Sequence, residues 1–148
     1  MKHLLRREFT VDLPQGQAWQ HLARLEKWPS WARHIRRVEA TPAGELGPQT
    51  TGIIYLTNGV ESVFTMTELN PPRNWKWVGR FLWATVEYDH VFEELGPEKT
   101  RLIWTIGAEG FAVSIIGKLF TWIYNKNLDT AVPLLVAEMN SARRGPVE

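Results

Sequence analysis

The sequence predicts an α+β fold, a seven-stranded curved antiparallel sheet gripping one long C-terminal helix, with two short helices after the first strand. Three observations lead there. From Ile35 to Gly110, runs of alternating apolar and polar residues are separated by short turn-forming segments, as in an antiparallel meander. From Ile115 to Met139 the period changes: Ile115, Ile116, Leu119, Ile123, Leu128, Val132, Leu135, Val136 and Met139 recur at helical spacings. The segment before the meander, "VDLPQGQAWQHLARLEKWPSW", reads as helices too short to cover a sheet. The long helix is therefore the element able to cover the sheet's apolar face. A curved sheet around a single helix leaves a space between them that side chains need not fill.

Each element has a local reason. Glu8–Val11 alternates as a strand that could begin near His3. Asp12 can cap the helix that follows, Pro14 suits its first turn, and Ala18, Trp19 and Leu22 share one face. Pro29 ends any continuous helix, and "SWARHI" reads as a second short helix with Ser30 as its cap. Ile35–Thr41 is the next strand, closed by the turn "TPAGELGPQT". "TTGIIYLTNG" and "VESVFTMTEL" pair through Asn58-Gly59, a strong hairpin signal. "WKWVGRF" follows the turn "NPPRN" and places Trp75 and Trp77 on one face. "WATVEYDHVFEEL" puts Glu87, Asp89 and Glu93 on one side, and Val86, Tyr88, His90 and Phe92 on the other. "TRLIWTIGAEG" closes the meander with Leu102, Trp104 and Ile106 on one face. Pro133 should kink or divide the final helix.

Composition narrows the function. The chain of 148 residues is long enough for one domain, 1–148, with a sizeable core, and its 44% hydrophobic and 22% charged residues are those of a globular protein. A net charge of +1 gives no reason to expect nucleic acid. The local cluster Arg33, Arg36 and Arg37 with His34 reads first as a solvated helix end or strand start. The absence of cysteine removes disulfides, thiolate nucleophiles and Cys-bound metals, and is compatible with the cytoplasm, the expected location. "MKHLLRREFT" has no apolar segment of the secretory kind, and the longest apolar run, Gly110–Tyr124, is interrupted and too short to span a bilayer. Eight tryptophans are the unusual feature. Trp19, Trp28 and Trp31, around "LEKWPSW", read as a structural plug with Pro29 setting the angle between the short helices.

The segments Phe9–Trp31, "GELGPQTTG", Glu87–Gly110 and the closing helix together resemble the polyketide cyclase/dehydrase-type members of the START-like (SRPBCC) superfamily. The opening motif, a strand, then Pro-x(4)-Trp-x(2)-Leu, ending in Trp-Pro-x-Trp, carries most of the likeness. The resemblance covers nearly the whole chain and implies a helix-grip fold enclosing a cavity for apolar ligands. It does not imply one activity. Aromatic cyclases of this superfamily are associated with a cavity arginine and tyrosines. Here Arg80 should point outward if Trp77 points inward, since their spacing is odd.

Catalytic constellations are thin. His3, His21, His34 and His90 show no metal-ligand spacing, there is no Gly-x-Ser-x-Gly elbow, and no glycine-rich phosphate loop follows a strand. No metal or cofactor is expected. His90 should face the space under the sheet beside Tyr88 and Phe92, as a satisfied core histidine, a polar anchor for a ligand, or a general acid or base. Tyr88 is the companion catalytic candidate. The candidate ligand-binding set is Tyr55, Trp75, Trp77, Tyr88, His90, Phe92, Trp104, Phe120 and Trp122. Gly110 and Gly117 could loosen a cavity mouth at which Phe111, Phe120 and Trp122 touch ligand or a membrane surface. The expected function is binding of a small apolar molecule of lipid, polyketide-like or aromatic kind. The alternatives are a cyclase or dehydratase, and a carrier delivering a lipid or quinone to a membrane or partner complex. Oligomeric state is left open.

Overall fold

The computed structural model describes residues 1–81, 84–110 and 113–142. Seven strands, β1 (Lys2–Val11), β2 (Ile35–Thr41), β3 (Thr51–Leu56), β4 (Glu61–Asn70), β5 (Asn74–Phe81), β6 (Ala84–Gly96) and β7 (Lys99–Gly110), form one antiparallel sheet in the order β1-β7-β6-β5-β4-β3-β2. Helix α1 (Gln15–Ala23) and a 3-10 helix (Leu25–Ser30) lie between β1 and β2, and α2 (Val113–Ala142) closes the chain. Trp83, expected to open the sixth strand, and Phe111, expected at the cavity mouth, lie outside the described residues.

The meander follows turn chemistry. Gly59 takes φ 91°, which suits a residue without Cβ, and the Asn58 side chain accepts from the Val60 N–H at 2.9 Å. The curvature comes from register shifts in β1, β2, β4 and β6, since an extra residue bends and twists the strand that carries it. Gly52 permits one close approach. It lies opposite Phe64, and a Cβ there would collide with the Phe64 ring and with the Glu39 carbonyl oxygen. The buried Phe64 ring packs beneath it and stacks on Trp77 at 4.2 Å between centroids.

Several local expectations are corrected. The helix over "SWARHI" is replaced by the 3-10 helix Leu25–Ser30, which contains Pro29 and ends where the second helix should begin. Ser30 caps nothing: its Oγ sits 2.7 Å from the Lys27 carbonyl and 2.7 Å from Glu138 Oε2. Asp12 does not cap α1, where Pro14 holds the N-cap position without a side-chain bond, while the Asp12 N–H donates to Asn140 Oδ1 at 2.8 Å. Pro133 does not divide the last helix, which runs unbroken through it with Pro133 exposed.

The two halves of α2 pack differently, and that difference makes the site. The C-terminal half buries Leu128, Ala131, Val132, Leu135 and Met139 in the core. It is tied down by Glu138, whose carboxylate meets His21 Nε2 at 2.8 Å. Midway, the Arg7 guanidinium donates to Asn125 Oδ1 and Asp129 Oδ1, both at 2.9 Å. The first half meets the sheet closely at Gly117, where a Cβ would stand 3.2 Å from Leu4. Gly117 is therefore a site of close approach between α2 and β1. Elsewhere along this half, Ile116, Phe120 and Tyr124 stand off from β3–β6 across open space.

Candidate functional site

That space is a cavity of about 250 Å³. The sheet supplies Ile54, Leu56, Phe64, Trp77 and Val86, the 3-10 helix supplies Trp28, and α2 supplies Ile116, Leu119, Phe120, Ile123 and Tyr124. Asn58, Val60, Ser62, Arg80 and Asn127 complete the lining, and the exposed Asn58, Val60 and Arg80 form its rim. A second chamber of about 40 Å³ adjoins it, walled by Trp31, Ala32, Asp89, Trp104, Thr105, Ile106 and Leu128. Trp28, His34, Ile35, Tyr88, His90 and Tyr124 border both. His34, Tyr88, His90 and Tyr124 thus cluster where the two chambers meet, while the rest of the larger chamber is mainly apolar, with Asn58, Ser62, Arg80 and Asn127 as its other polar lining. The smaller chamber has room for one or two waters or a small polar group.

His90 sits in a cage of aromatic rings. Its imidazole stacks on Trp75 at 4.8 Å and meets Trp77 edge-on at 4.9 Å, with Trp28 and Trp104 each 6.2 Å away. Burial among these rings lowers its pKa to about 3, against a weaker opposing effect of the Trp75 carbonyl. The ring is therefore neutral at physiological pH. Nδ1 lies 3.4 Å from the Trp75 carbonyl oxygen, which can only accept, so Nδ1 carries the proton and Nε2 is left as an acceptor. Burial also raises the pKa of Tyr88 and pushes that of Tyr124 up to about 12, so both hydroxyls keep their protons. Their rings lie 6.2 Å apart, and Phe120 stacks on Tyr124 at 5.6 Å. His34 is lowered by burial and is likewise shifted towards its neutral form. The junction of the two chambers therefore presents hydrogen-bonding groups held towards their neutral forms, and the smaller chamber adds Asp89, whose pKa burial raises.

Of the candidate residues, Trp77, Tyr88, His90 and Phe120 line the larger cavity, and Trp104 lines the smaller chamber with Tyr88 and His90. Four do not line either. Tyr55 faces outward, because the alternation that turns Ile54 and Leu56 inward must turn it away. Its hydroxyl donates to Glu39 Oε2 at 3.2 Å and the Arg37 guanidinium lies 4.2 Å over its ring. Trp122 is 61% exposed, because two residues of helix turn it roughly 200° away from Phe120 and Tyr124. Trp75 and Phe92 are buried in the core against Trp19, behind His90 rather than around the cavity. Arg80 is exposed, as alternation requires, but it borders the rim.

The largest omission is Trp28, with Trp31 and Tyr124. Trp28 is a plug in one respect, its Nε1 donating to the Leu22 carbonyl at 2.8 Å, but its ring is a wall of both chambers. Tyr124 was signalled by its place one helical turn after Phe120. Trp75 and Trp104 Nε1 are buried without an acceptor among the described residues, a deficit that folds tolerate most readily around functional sites. Among the described residues no group of three or more His, Asp or Glu could hold a metal ion.

Comparison with known proteins agrees with this architecture. The family described as polyketide cyclase/dehydrase and lipid transport matches residues 2–135. The chain belongs to that family. As a polyketide cyclase/dehydrase-type protein it is similar in fold to the ZhuI aromatase/cyclase of Streptomyces sp. R1128, with TM-score 0.75, 16% identity, and 99% of each chain covered. A START superfamily protein from Mycobacterium smegmatis gives TM-score 0.68 at 14% identity, covering 94% of this chain and 98% of the other. A hypothetical protein from Helicobacter pylori gives 0.71 at 16% identity, with coverage of 90% and 86%. A comparison with curated proteins finds no match. At these identities the likeness establishes the START-like fold alone; the family and fold are consistent with apolar ligand binding or with cyclase-type function.

Proposed function

We propose that this protein binds one small, neutral, largely apolar molecule, whose hydroxyl or carbonyl group lies against His90, Tyr88 and Tyr124. The observation carrying this reading is the pairing of an apolar chamber of about 250 Å³ with uncharged polar groups at its inner end. That volume lies just below the roughly 300–1,000 Å³ of most small-molecule sites, so it suits a compact ring system or short chain. Longer ligands could continue past Val60 and Leu119, which line the cavity and are exposed. Burial of ligand surface supplies the driving force, and the polar groups supply orientation. A carboxylate lying against His90, Tyr88 and Tyr124 would find no lysine or arginine there, since the lining's Arg80 is an exposed residue at the rim.

A cyclase- or dehydratase-type reaction is the second reading, favoured by the fold likeness to ZhuI. The protonation states support binding over acid–base work. An imidazole whose pKa lies near 3 is a weak base at neutral pH, and tyrosines with raised pKa values are weak acids.

Native mass spectrometry tests the proposal. The purified protein should carry, or take up from an apolar library, one small molecule. Val86, buried at the cavity wall, provides the control. Val86→Phe should narrow the space and weaken uptake of that molecule while remaining folded. A protein that takes up nothing, or a Val86→Phe variant that binds as well as the parent, contradicts the reading.

A further inference from the structure

The first half of α2 is apolar on two faces, but only one of them is covered. Ile116, Phe120 and Tyr124 face the cavity. Around the other side, Ile115 is 77% exposed, Leu119 59%, Trp122 61% and Ile123 46%. These four fall at helical spacings and form a continuous stripe. Isolated apolar side chains on a surface need no explanation, but a contiguous stripe of four marks an interface. Leu119 and Ile123 belong to both surfaces: they are exposed and they line the cavity. The stripe therefore runs to the cavity's rim.

Charge indicates what covers it. Between Val113 and Leu128 the helix carries Lys118 and Lys126 and no acidic residue. The first acid, Asp129, is paired with Arg7. Lys126 Nζ lies 5.0 Å over the Trp122 ring, an aromatic–cation pair of the kind that sits at a lipid headgroup layer. Arg80 adds a third cation at the rim, against Glu61, which follows Val60 there. A second copy docked symmetrically on this face would bring lysines against lysines. An anionic bilayer would accept the tryptophan and aliphatic side chains among its headgroups and the lysines against its phosphates. No helix among the described residues is long and apolar enough to cross a membrane, so the contact is with its surface.

We propose that the exposed face of α2 docks on an anionic membrane surface and turns the cavity rim towards the lipid. Ligand could then pass between bilayer and cavity without crossing water. The orientation rests on the cavity reading above, but the docking face itself does not.

Vesicle co-sedimentation tests it, with the full chain and vesicles of phosphatidylcholine alone or with roughly 30% phosphatidylserine. The protein should pellet with the anionic vesicles and much less with the neutral ones. Ile115→Ser/Trp122→Ser changes residues outside the cavity lining and should cut binding at least about tenfold. Lys118→Gln/Lys126→Gln should cut anionic binding roughly 30-fold. Both variants should still take up the cavity ligand in native mass spectrometry. Failure to pellet with either vesicle overturns the proposal, as do variants that pellet like the parent. A dimer in sedimentation velocity that Ile115→Ser/Trp122→Ser converts to monomer would also overturn it, by giving the stripe to a second copy. In the parent protein, ligand uptake without vesicle binding sinks the docking alone, whereas vesicle binding without ligand uptake sinks the cavity reading alone.

Discussion

Replacing His90 with leucine should flatten the acid limb of this protein's stability curve. His90 titrates with a pKa of about 3 in the folded chain, against 6.5 for an unperturbed histidine. Above pH 6.5 both states are neutral there and the residue adds no pH dependence. Below it the unfolded chain takes a proton that the folded chain refuses, so stability is lost as the pH falls from 6.5 towards 3. Each pH unit in that window costs about 1.4 kcal/mol. At about pH 5 the loss is therefore about 2 kcal/mol, which for a chain of this size lowers Tm by roughly 4–8 °C. Burial lowers His34 too and adds a loss of the same sign, while the raised pKa of half-buried Asp89 acts in the opposite direction at lower pH. Both groups are present in parent and variant, so the difference between the two isolates His90. Circular dichroism melts at about pH 7.5 and about pH 5 make the comparison. His90→Leu will shift Tm at the higher pH by losing the stack on Trp75, but its further drop on acidification should be smaller by those 4–8 °C, roughly. Equal acid-induced drops would refute the view that His90 is held neutral in its aromatic cage.

Two further substitutions test the packing around the cavity. Gly52→Ala should destabilise by about 2 kcal/mol in urea unfolding, because its methyl group meets the Phe64 ring and the Glu39 carbonyl and neither can move without disturbing β2–β4. Trp28→Phe should cost about 3 kcal/mol, since it strands the Leu22 carbonyl and empties part of a wall, yet the widened cavity should still take up ligand.

Most of the fold was legible because it rests on two periods. Alternation placed Val86, Tyr88, His90 and Phe92 on the inner face of β6, and helical spacing found α2. Alternation also carries the reason Tyr55 points outward, since Ile54 and Leu56 are its neighbours. What the pattern could not supply is depth. Trp75 and Trp77 share a face of β5, but one lies behind His90 in the core and the other lines the cavity. That outcome depends on how far each stands from α2, a tertiary distance with no local signal. The α2 helix misled for a similar reason. Its first half has apolar residues on more than one face, so Phe120 and Trp122 looked equivalent, and only the packed helix shows that one faces the cavity and the other faces out. Trp28 was read as a plug because a Trp-Pro-x-Trp segment has an evident structural use. Its ring serves both purposes, held by Leu22 at the indole nitrogen and bordering both chambers with its face. The boundary of the 3-10 helix was misjudged by reading Pro29 as a stop, whereas a 3-10 turn accommodates it.

The central claim is that a neutral ligand occupies the chamber with its polar end against His90, Tyr88 and Tyr124. It is tested most directly by a matched pair of bicyclic probes, 2-naphthol and 2-naphthoate, titrated at neutral pH and followed by tryptophan fluorescence. The naphthol hydroxyl can donate to His90 Nε2, whereas the carboxylate brings a charge that no cation beside His90, Tyr88 and Tyr124 neutralises, Arg80 being an exposed residue at the rim. The account predicts saturable binding of one naphthol and binding of naphthoate roughly 100-fold weaker or worse. Equal affinities, or tighter binding of the carboxylate, would contradict it.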